Sequence, residues 1–238
     1  MEILRTENLG KRFGEKRVLN DVNLEFYEGE ITIISGPNGS GKNTFIKSIL
    51  GLVVPSKGRI LFKGKEVAGE SEYRRYLGYM PQIPKFPENL TPKEIFSLMR
   101  EIYGKDRMED PQRYIEEFSL RDFWDKPVRT LSGGTRQKMS ASLYLSVKAH
   151  VYFLDEPNAS LDPKSSVVLK EEILRKKSEG ASVVIITHII SYFENITELI
   201  YFLEGRIKFV GEIESLKCIT GENDLERAIA RMEDVEDL

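Results

Sequence analysis

The chain has 238 residues, 40% of them hydrophobic, a net charge of −3 and a single cysteine, Cys218. That length buries a full core, as one large domain or a core with a small lobe. The charge balance argues against a general nucleic-acid binder, and one cysteine excludes an internal disulfide. No apolar run reaches the ~18 residues of a membrane span. The start, MEILRTENLGKRFGEKR, is charged too early for a signal peptide. A soluble chain is expected, with any membrane span supplied by another protein. Cys218 reads as a small packing residue.

In chain order, ILRTENLGKRF and VLNDVNLEFYEGE alternate apolar and polar residues and predict strands broken at Gly10, Gly14 and Gly29. ITIISG is a continuous apolar run ending in glycine, a buried strand. KNTFIKSILGL places Phe45, Ile46, Ile49 and Leu50 at helical spacing and stops at Gly51. GRILFKGKEV predicts one further strand between turn glycines, and YLGYMPQ a short strand running into a loop. From about Thr91 to Ala149 the pattern is helical. TPKEIFSLMREIYG opens with Thr91 as N-cap and Pro92 in the first turn, with Ile95, Leu98, Met99 and Ile102 on one face. PQRYIEEFSL and TRQKMSASLYLSVKA continue as helices. Strands return at VYFLDE and SVVIITH, with the amphipathic helix SSVVLKEEILRKKSEG between them. LIYFLEGRIKFVG predicts a hairpin turning at Glu204-Gly205, and NDLERAIARMEDVED a terminal helix. A parallel α/β core interrupted by a helical insert accounts for this order.

GPNGSGKNT, residues 36 to 44, is close to the phosphate-loop pattern G-x-x-x-x-G-K-[ST]. It follows a buried strand and opens a helix. Gly36, Gly39 and Gly41 let backbone N–H groups turn inward as an anion nest, and the helix start adds partial positive charge. Lys42 is placed to reach the β- and γ-phosphates. LSGGTRQK, residues 131 to 138, again sets a small hydroxyl and two glycines at a helix start. On its own it reads equally as an ordinary Ser N-cap. VYFLDEP, residues 151 to 157, ends a buried strand in paired carboxylates. Asp155 suits a Mg²⁺ site and Glu156 suits orienting or deprotonating a water. His188, at the end of SVVIITH, taken alone reads more readily as structural.

Taken in order, these motifs resemble the ATP-binding subunit of an ABC transporter over about residues 1 to 215, most closely the short ATPases of ABC-2-type exporters. GPNGSGK (Gly36, Pro37, Asn38, Gly39, Ser40, Gly41, Lys42) with Asn43 and Thr44 matches Walker A. Gln82 matches the Q-loop, LSGG (Ser132, Gly133, Gly134) the signature, LDEP Walker B, Asp162 in ASLD the D-loop and His188 the switch histidine. Phe13 in KRFG matches the aromatic position that stacks on adenine; a core aromatic is its other reading. The resemblance implies a P-loop NTPase of RecA-like α/β fold. An N-terminal antiparallel β subdomain, a helical insert at about 84 to 149 carrying LSGG, and a helical tail at 216 to 238 complete it.

It also implies ATP and Mg²⁺ as cofactors. Glu156, His188, Gln82 and Lys42 would be the catalytic residues, and Asn43, Gln82 and Asp155 the metal ligands. Two chains would pack head to tail around two ATP, Ser132, Gly133 and Gly134 of one facing the γ-phosphate held by the other. A separate transmembrane permease, docked on the insert near Phe86 and Leu90, would place the chain at the cytoplasmic face of the cell membrane. Phe86 and Leu90 read equally as packing residues of the insert.

Asn43 departs from the family, where a Ser or Thr hydroxyl ligates Mg²⁺. Its amide offers a carbonyl oxygen but is bulkier; direct ligation, ligation through water and displacement of the ion are all open. Metal affinity or rate is expected to fall ~10–100-fold, on the scale of outer-shell losses. Thr44 keeps the hydroxyl that in the family contacts the α-phosphate. The otherwise complete set predicts a competent, slowed ATPase. The alternatives are a regulatory subunit that holds nucleotide without turnover and a soluble ABC ATPase outside transport.

Overall fold

The computed structural model describes residues 1–67, 69–193 and 195–234. The chain forms two compact units, Met1–Arg74 with Val184–Leu238, and Arg75–Val183.

The first unit opens with β1 (Glu2–Phe13) and β2 (Lys16–Tyr27). β3 (Ile31–Ser35) follows, buried at every position, and leads into α1 (Lys42–Ile49). β4 (Lys57–Phe62) and β5 (Lys65–Glu66) complete an antiparallel sheet in the order β2-β1-β4-β5. Two expectations change here. Gly10 does not end a strand: β1 runs through it, with register shifts on both sides that absorb the irregularity. GRILFKGKEV is a hairpin, because Lys63 and Gly64 both take positive φ, the pairing that turns a chain back within two residues.

The second unit carries β6 (Leu77–Met80), α2 (Pro92–Tyr103), α3 (Pro111–Glu117), α4 (Gly133–Ser146), β7 (Val151–Asp155) and α5 (Pro163–Ser178). β6 and β7 pair in parallel. α2 starts with a full capping box between Thr91 and Glu94, as the sequence predicts. Its buried face is narrower than expected: Ile95 and Phe96 pack inward, Phe96 against the Trp124 ring, while Leu98 and Ile102 stay exposed. α4 ends at Ser146 rather than Ala149, because Val147 turns extended and bridges to Met108.

β8 (Ser182–Ile186) returns the chain to the first unit. There β9 (Glu198–Leu203) lies parallel to β3, and β10 (Arg206–Gly211) antiparallel to β9, so the sheet is mixed. The β9–β10 turn is Glu204-Gly205, both at positive φ, as expected. α6 (Ile213–Thr220) and α7 (Leu225–Asp234) close the described chain. α6 begins at Ile213, ahead of the helical tail expected from 216, and its Glu212 N-cap makes no side-chain hydrogen bond. It leaves Cys218 exposed, which corrects the packing role expected for that residue. The last residues expected in the terminal helix, 235 to 237, lie outside the described residues.

Candidate functional site

The phosphate loop joins β3 to α1 within the first unit. Backbone conformation builds it. Gly36, Gly39 and Gly41 stand at φ 137°, 81° and 110°, values that L-residues rarely adopt. Space adds a second constraint at two of them. A Cβ on Gly36 would meet the Phe202 carbonyl oxygen at 2.1 Å, and one on Gly41 the Val18 carbonyl oxygen at 2.8 Å. Gly205 of the β9–β10 turn ties the loop down, its N–H donating to the Ser40 carbonyl at 2.8 Å. Pro37, Asn38 and Gly39 form the open rim, while Ser40 is buried.

Lys42 is only 6% exposed. Its Nζ donates to the Gly36 carbonyl at 2.5 Å and to the Pro37 carbonyl at 2.9 Å. The ammonium therefore sits in the mouth of the loop with its charge partly neutralised by carbonyl dipoles. α1 starts without a side-chain cap and without an acidic residue in its first turn, so its opening N–H groups and positive dipole end are left for an anion. Asn43 and Thr44 occupy that turn, Asn43 exposed and Thr44 half-buried.

Two other predicted residues belong to the same unit. Phe13 ends β1 with its ring 52% exposed and the Lys11 Nζ 4.8 Å from the ring centroid. That exposure removes the core-aromatic reading. His188 is exposed just past β8. The buried Thr187 before it donates its N–H to the Ile34 carbonyl at 3.2 Å and accepts from the Ile189 N–H through its hydroxyl at 3.1 Å. This anchors His188 beside the end of the strand that feeds the phosphate loop.

The remaining residues belong to the second unit. Asp155 ends β7 and is buried. Burial, with the Asp155 carboxylate nearby, pushes the Tyr79 hydroxyl up to about 12. Glu156 follows at φ 44°, a strained conformation for a non-glycine residue and of the kind that gathers at functional sites. Gln82 is exposed on the loop after β6.

Ser132 caps α4, its Oγ accepting from the Thr135 N–H at 3.2 Å. Gly133 is exposed. Gly134 is held to glycine by a close approach, since a Cβ there would meet the Ser160 carbonyl oxygen at 2.9 Å. Asp162 caps α5 through the Ser165 N–H at 2.9 Å and pairs with Lys138 at 2.5 Å. The Lys138 hydrogen bond, with the Ser165 N–H adding to it, holds the Asp162 carboxyl below the usual carboxylate range.

Three contacts thus fasten α4 to the segment after β7: Gly134 against Ser160, the Gln137 amide donating to the Pro157 carbonyl at 3.5 Å, and Lys138 with Asp162. Gln137 and Lys138 were not assigned roles from the sequence. Their place one helical turn after LSGG, facing the same way as Gly134, is the signal that could have found them.

A second group that sequence reasoning missed lies at the far end of α5. Glu172 and Lys176 are each 1% exposed. Arg175 bonds Glu172 at 2.7 Å and Glu109 at 2.9 Å, Lys176 bonds Glu109, Arg113 bonds Glu172, and the Tyr114 hydroxyl joins Arg175 at 2.8 Å. Burial pushes the Glu109 carboxyl up, but Lys176 and Arg175 outweigh it and leave it below its ordinary value.

Within the second unit, the Asp155 carboxylate and the Gln82 amide are the expected metal ligands, and both offer oxygen donors. This hard, all-oxygen set suits Mg²⁺. No group of three or more His, Cys, Asp or Glu among the described residues forms a cage of its own.

The sequence pattern of the family described as "ABC transporter" matches residues 19–159. The lipopolysaccharide export system ATP-binding protein of Haemophilus influenzae is 30% identical, the match covering 91% of this chain and 93% of that protein. The lantibiotic transport ATP-binding protein of Streptococcus pyogenes is 31% identical over 86% of this chain and 89% of its own. A solved ATP-binding subunit of an ABC transporter superposes with a TM-score of 0.89 at 28% identity, covering 98% of this chain and all of that one. The chain belongs to the ABC transporter family, as an ATP-binding subunit with the P-loop NTPase α/β fold.

Proposed function

We propose that the chain binds ATP at the phosphate loop, closes head to tail on a second ATP-binding subunit and hydrolyses ATP to drive a separate membrane permease. The observation that carries this reading is the loop itself: three glycines at positive φ and a buried Lys42 seated on the Gly36 and Pro37 carbonyls. The α1 N–H groups and Lys42 take the phosphates, and Phe13 supplies the exposed ring for adenine.

Glu156 orients a water and accepts its proton as the water oxygen attacks the γ-phosphorus. The bond from that phosphorus to the β–γ bridging oxygen breaks, and ADP and phosphate leave. His188 and Gln82 position the γ-phosphate and the water. Gln82 and Asp155 are the residues that would hold Mg²⁺, which when bound neutralises phosphate charge, and Asn43 stands beside the phosphates. Ser132, Gly133 and Gly134 of the second subunit close over the γ-phosphate and exclude bulk water, which strengthens each of these interactions.

No helix among the described residues is long and apolar enough to cross a membrane. The family resemblance supports a separate permease, with this chain peripheral to it. Ile83, Leu98 and Ile102 are the exposed apolar residues near the Q-loop and on α2. With Phe86 and Leu90, which are half-buried, they are the proposed permease contacts.

Asn43 supports one second reading, a regulatory subunit that holds nucleotide without turnover. Phosphate release with Mg²⁺ and ATP, measured beside Glu156→Gln and Asn43→Ser, separates the two. Turnover by the native chain, abolished in Glu156→Gln, is the expected result. A native chain that binds ATP, stays inert and gains turnover in Asn43→Ser would instead assign the holder.

A further inference from the structure

Asn43 stands in the first turn of α1, directly after the buried lysine. Its side chain is exposed and makes no hydrogen bond to any described residue. Around it are the uncapped N–H groups of the helix start and the Lys42 ammonium, with no acidic side chain in that turn. The local field favours an anion without further help.

A Ser or Thr at this place offers one oxygen bonded to Cβ, about 2.0–2.1 Å from a Mg²⁺ ion. Asparagine puts its Cγ in that position. Its amide oxygen and nitrogen then extend roughly 1.2–1.3 Å farther. In any rotamer aimed at the phosphates, the amide end occupies most of the length of a metal–oxygen bond. It also brings two N–H donors that a hydroxyl ligand does not direct at phosphate while bound to metal.

We infer that Asn43 takes over the ion's part in holding the nucleotide. Its Nδ2 donates directly to a phosphate oxygen, so ATP binding is nearly independent of Mg²⁺. The ion is left to Asp155 and Gln82 and is needed for turnover alone. This rests on the reading of residues 36 to 44 as the ATP site. It separates two events, binding the nucleotide and binding the metal, that a hydroxyl at this position ties together.

The test is ATP affinity by titration calorimetry, in Mg²⁺ and in EDTA, for the native chain, Asn43→Ser and Asn43→Ala. The native affinity should change by less than about threefold between the two buffers. Asn43→Ser should bind about tenfold or more tightly with Mg²⁺ than without, the scale on which metal ligands act. Asn43→Ala, which has neither donor nor ligand, should bind metal-free ATP about tenfold more weakly than the native chain, the worth of one hydrogen bond to a charged group.

A native chain that gains as much from Mg²⁺ as Asn43→Ser does, or an Asn43→Ala chain that matches native affinity in EDTA, overturns the inference and leaves the ATP site standing. Folded chains that bind no ATP in either buffer, in all three forms, would overturn the ATP site itself.

Discussion

The two helix starts that carry the anion-facing motifs, α1 and α4, are built in opposite ways. α1 begins from Gly41 at φ 110° with no side-chain cap. Its donors are open, and the loop before it is shaped by backbone conformations that only glycine holds at ease. α4 begins from Ser132, whose hydroxyl already accepts from the Thr135 N–H. The same oxygen lies 2.8 Å from the Thr135 hydroxyl, in a second hydrogen bond within the helix's own first turn. Side-chain contacts hold this second start in place: Gln137 to Pro157 and Lys138 to Asp162. The first is a built phosphate cradle. The second is a capped helix end, mounted on the segment that leads from Glu156, that can contribute to a site completed elsewhere.

Substitutions in the two regions should therefore fail differently, abruptly in the loop and by degrees around α4 and α5. The largest effect is expected for Gly36→Ala. Its Cβ would strike a backbone oxygen of the buried Phe202 and the residue would keep a positive φ. A loss of about 3 kcal/mol or more in denaturant unfolding follows, with ATP binding abolished. Unchanged binding would break the claim that backbone shape makes the cradle.

Next is Glu109→Gln, which removes the carboxylate paired with the buried Lys176. A stability loss of about 3 kcal/mol is expected at neutral pH. Because the Glu109 carboxyl is held below its ordinary value of 4.5, its contribution is present above that value and is lost as pH falls through the lower folded one. The gap between native and variant should narrow on acidification.

Phe13→Ala comes third. It should weaken ATP binding about tenfold, within the range for one stacked base, and leave the melting temperature unchanged because the ring is half exposed.

Smallest is Lys138→Met. The Lys138–Asp162 pair is partly exposed, which limits it to about 0.5–1 kcal/mol. Asp162 is depressed from 3.8, so the pair should stabilise at neutral pH and down to that value, and cease to matter as pH falls through the lower folded one. Equal urea midpoints for native and variant at pH 7 would show that Gly134 and Gln137 alone hold α4 to that segment.

Much of this was legible in the sequence where local chemistry decides. The loop glycines, the Thr91 capping box, the Glu204-Gly205 turn and the carboxylates ending β7 each follow from residues a few positions apart. What was missed depends on distant residues. Arg175, on α5, and Glu109, in the loop before α3, are 66 positions apart, and no local pattern announces their pairing. Leu98 and Ile102 share the helical spacing of Ile95, yet Phe96 takes the inward position and leaves them outside. Gly10 read as a break because a glycine weakens a strand, but β1 absorbs it through shifts in register. The exposure that separates the two readings of Phe13 is a tertiary fact, since its sequence context is the same for both.

The division between an anion cradle and a separate catalytic carboxylate is tested most directly by measuring ATP binding and ATP turnover side by side on Lys42→Ala and Glu156→Gln. Lys42→Ala should lose both. Glu156→Gln should bind ATP as the native chain does and lose turnover. A Glu156→Gln chain that fails to bind, or that turns over at the native rate, would contradict that division.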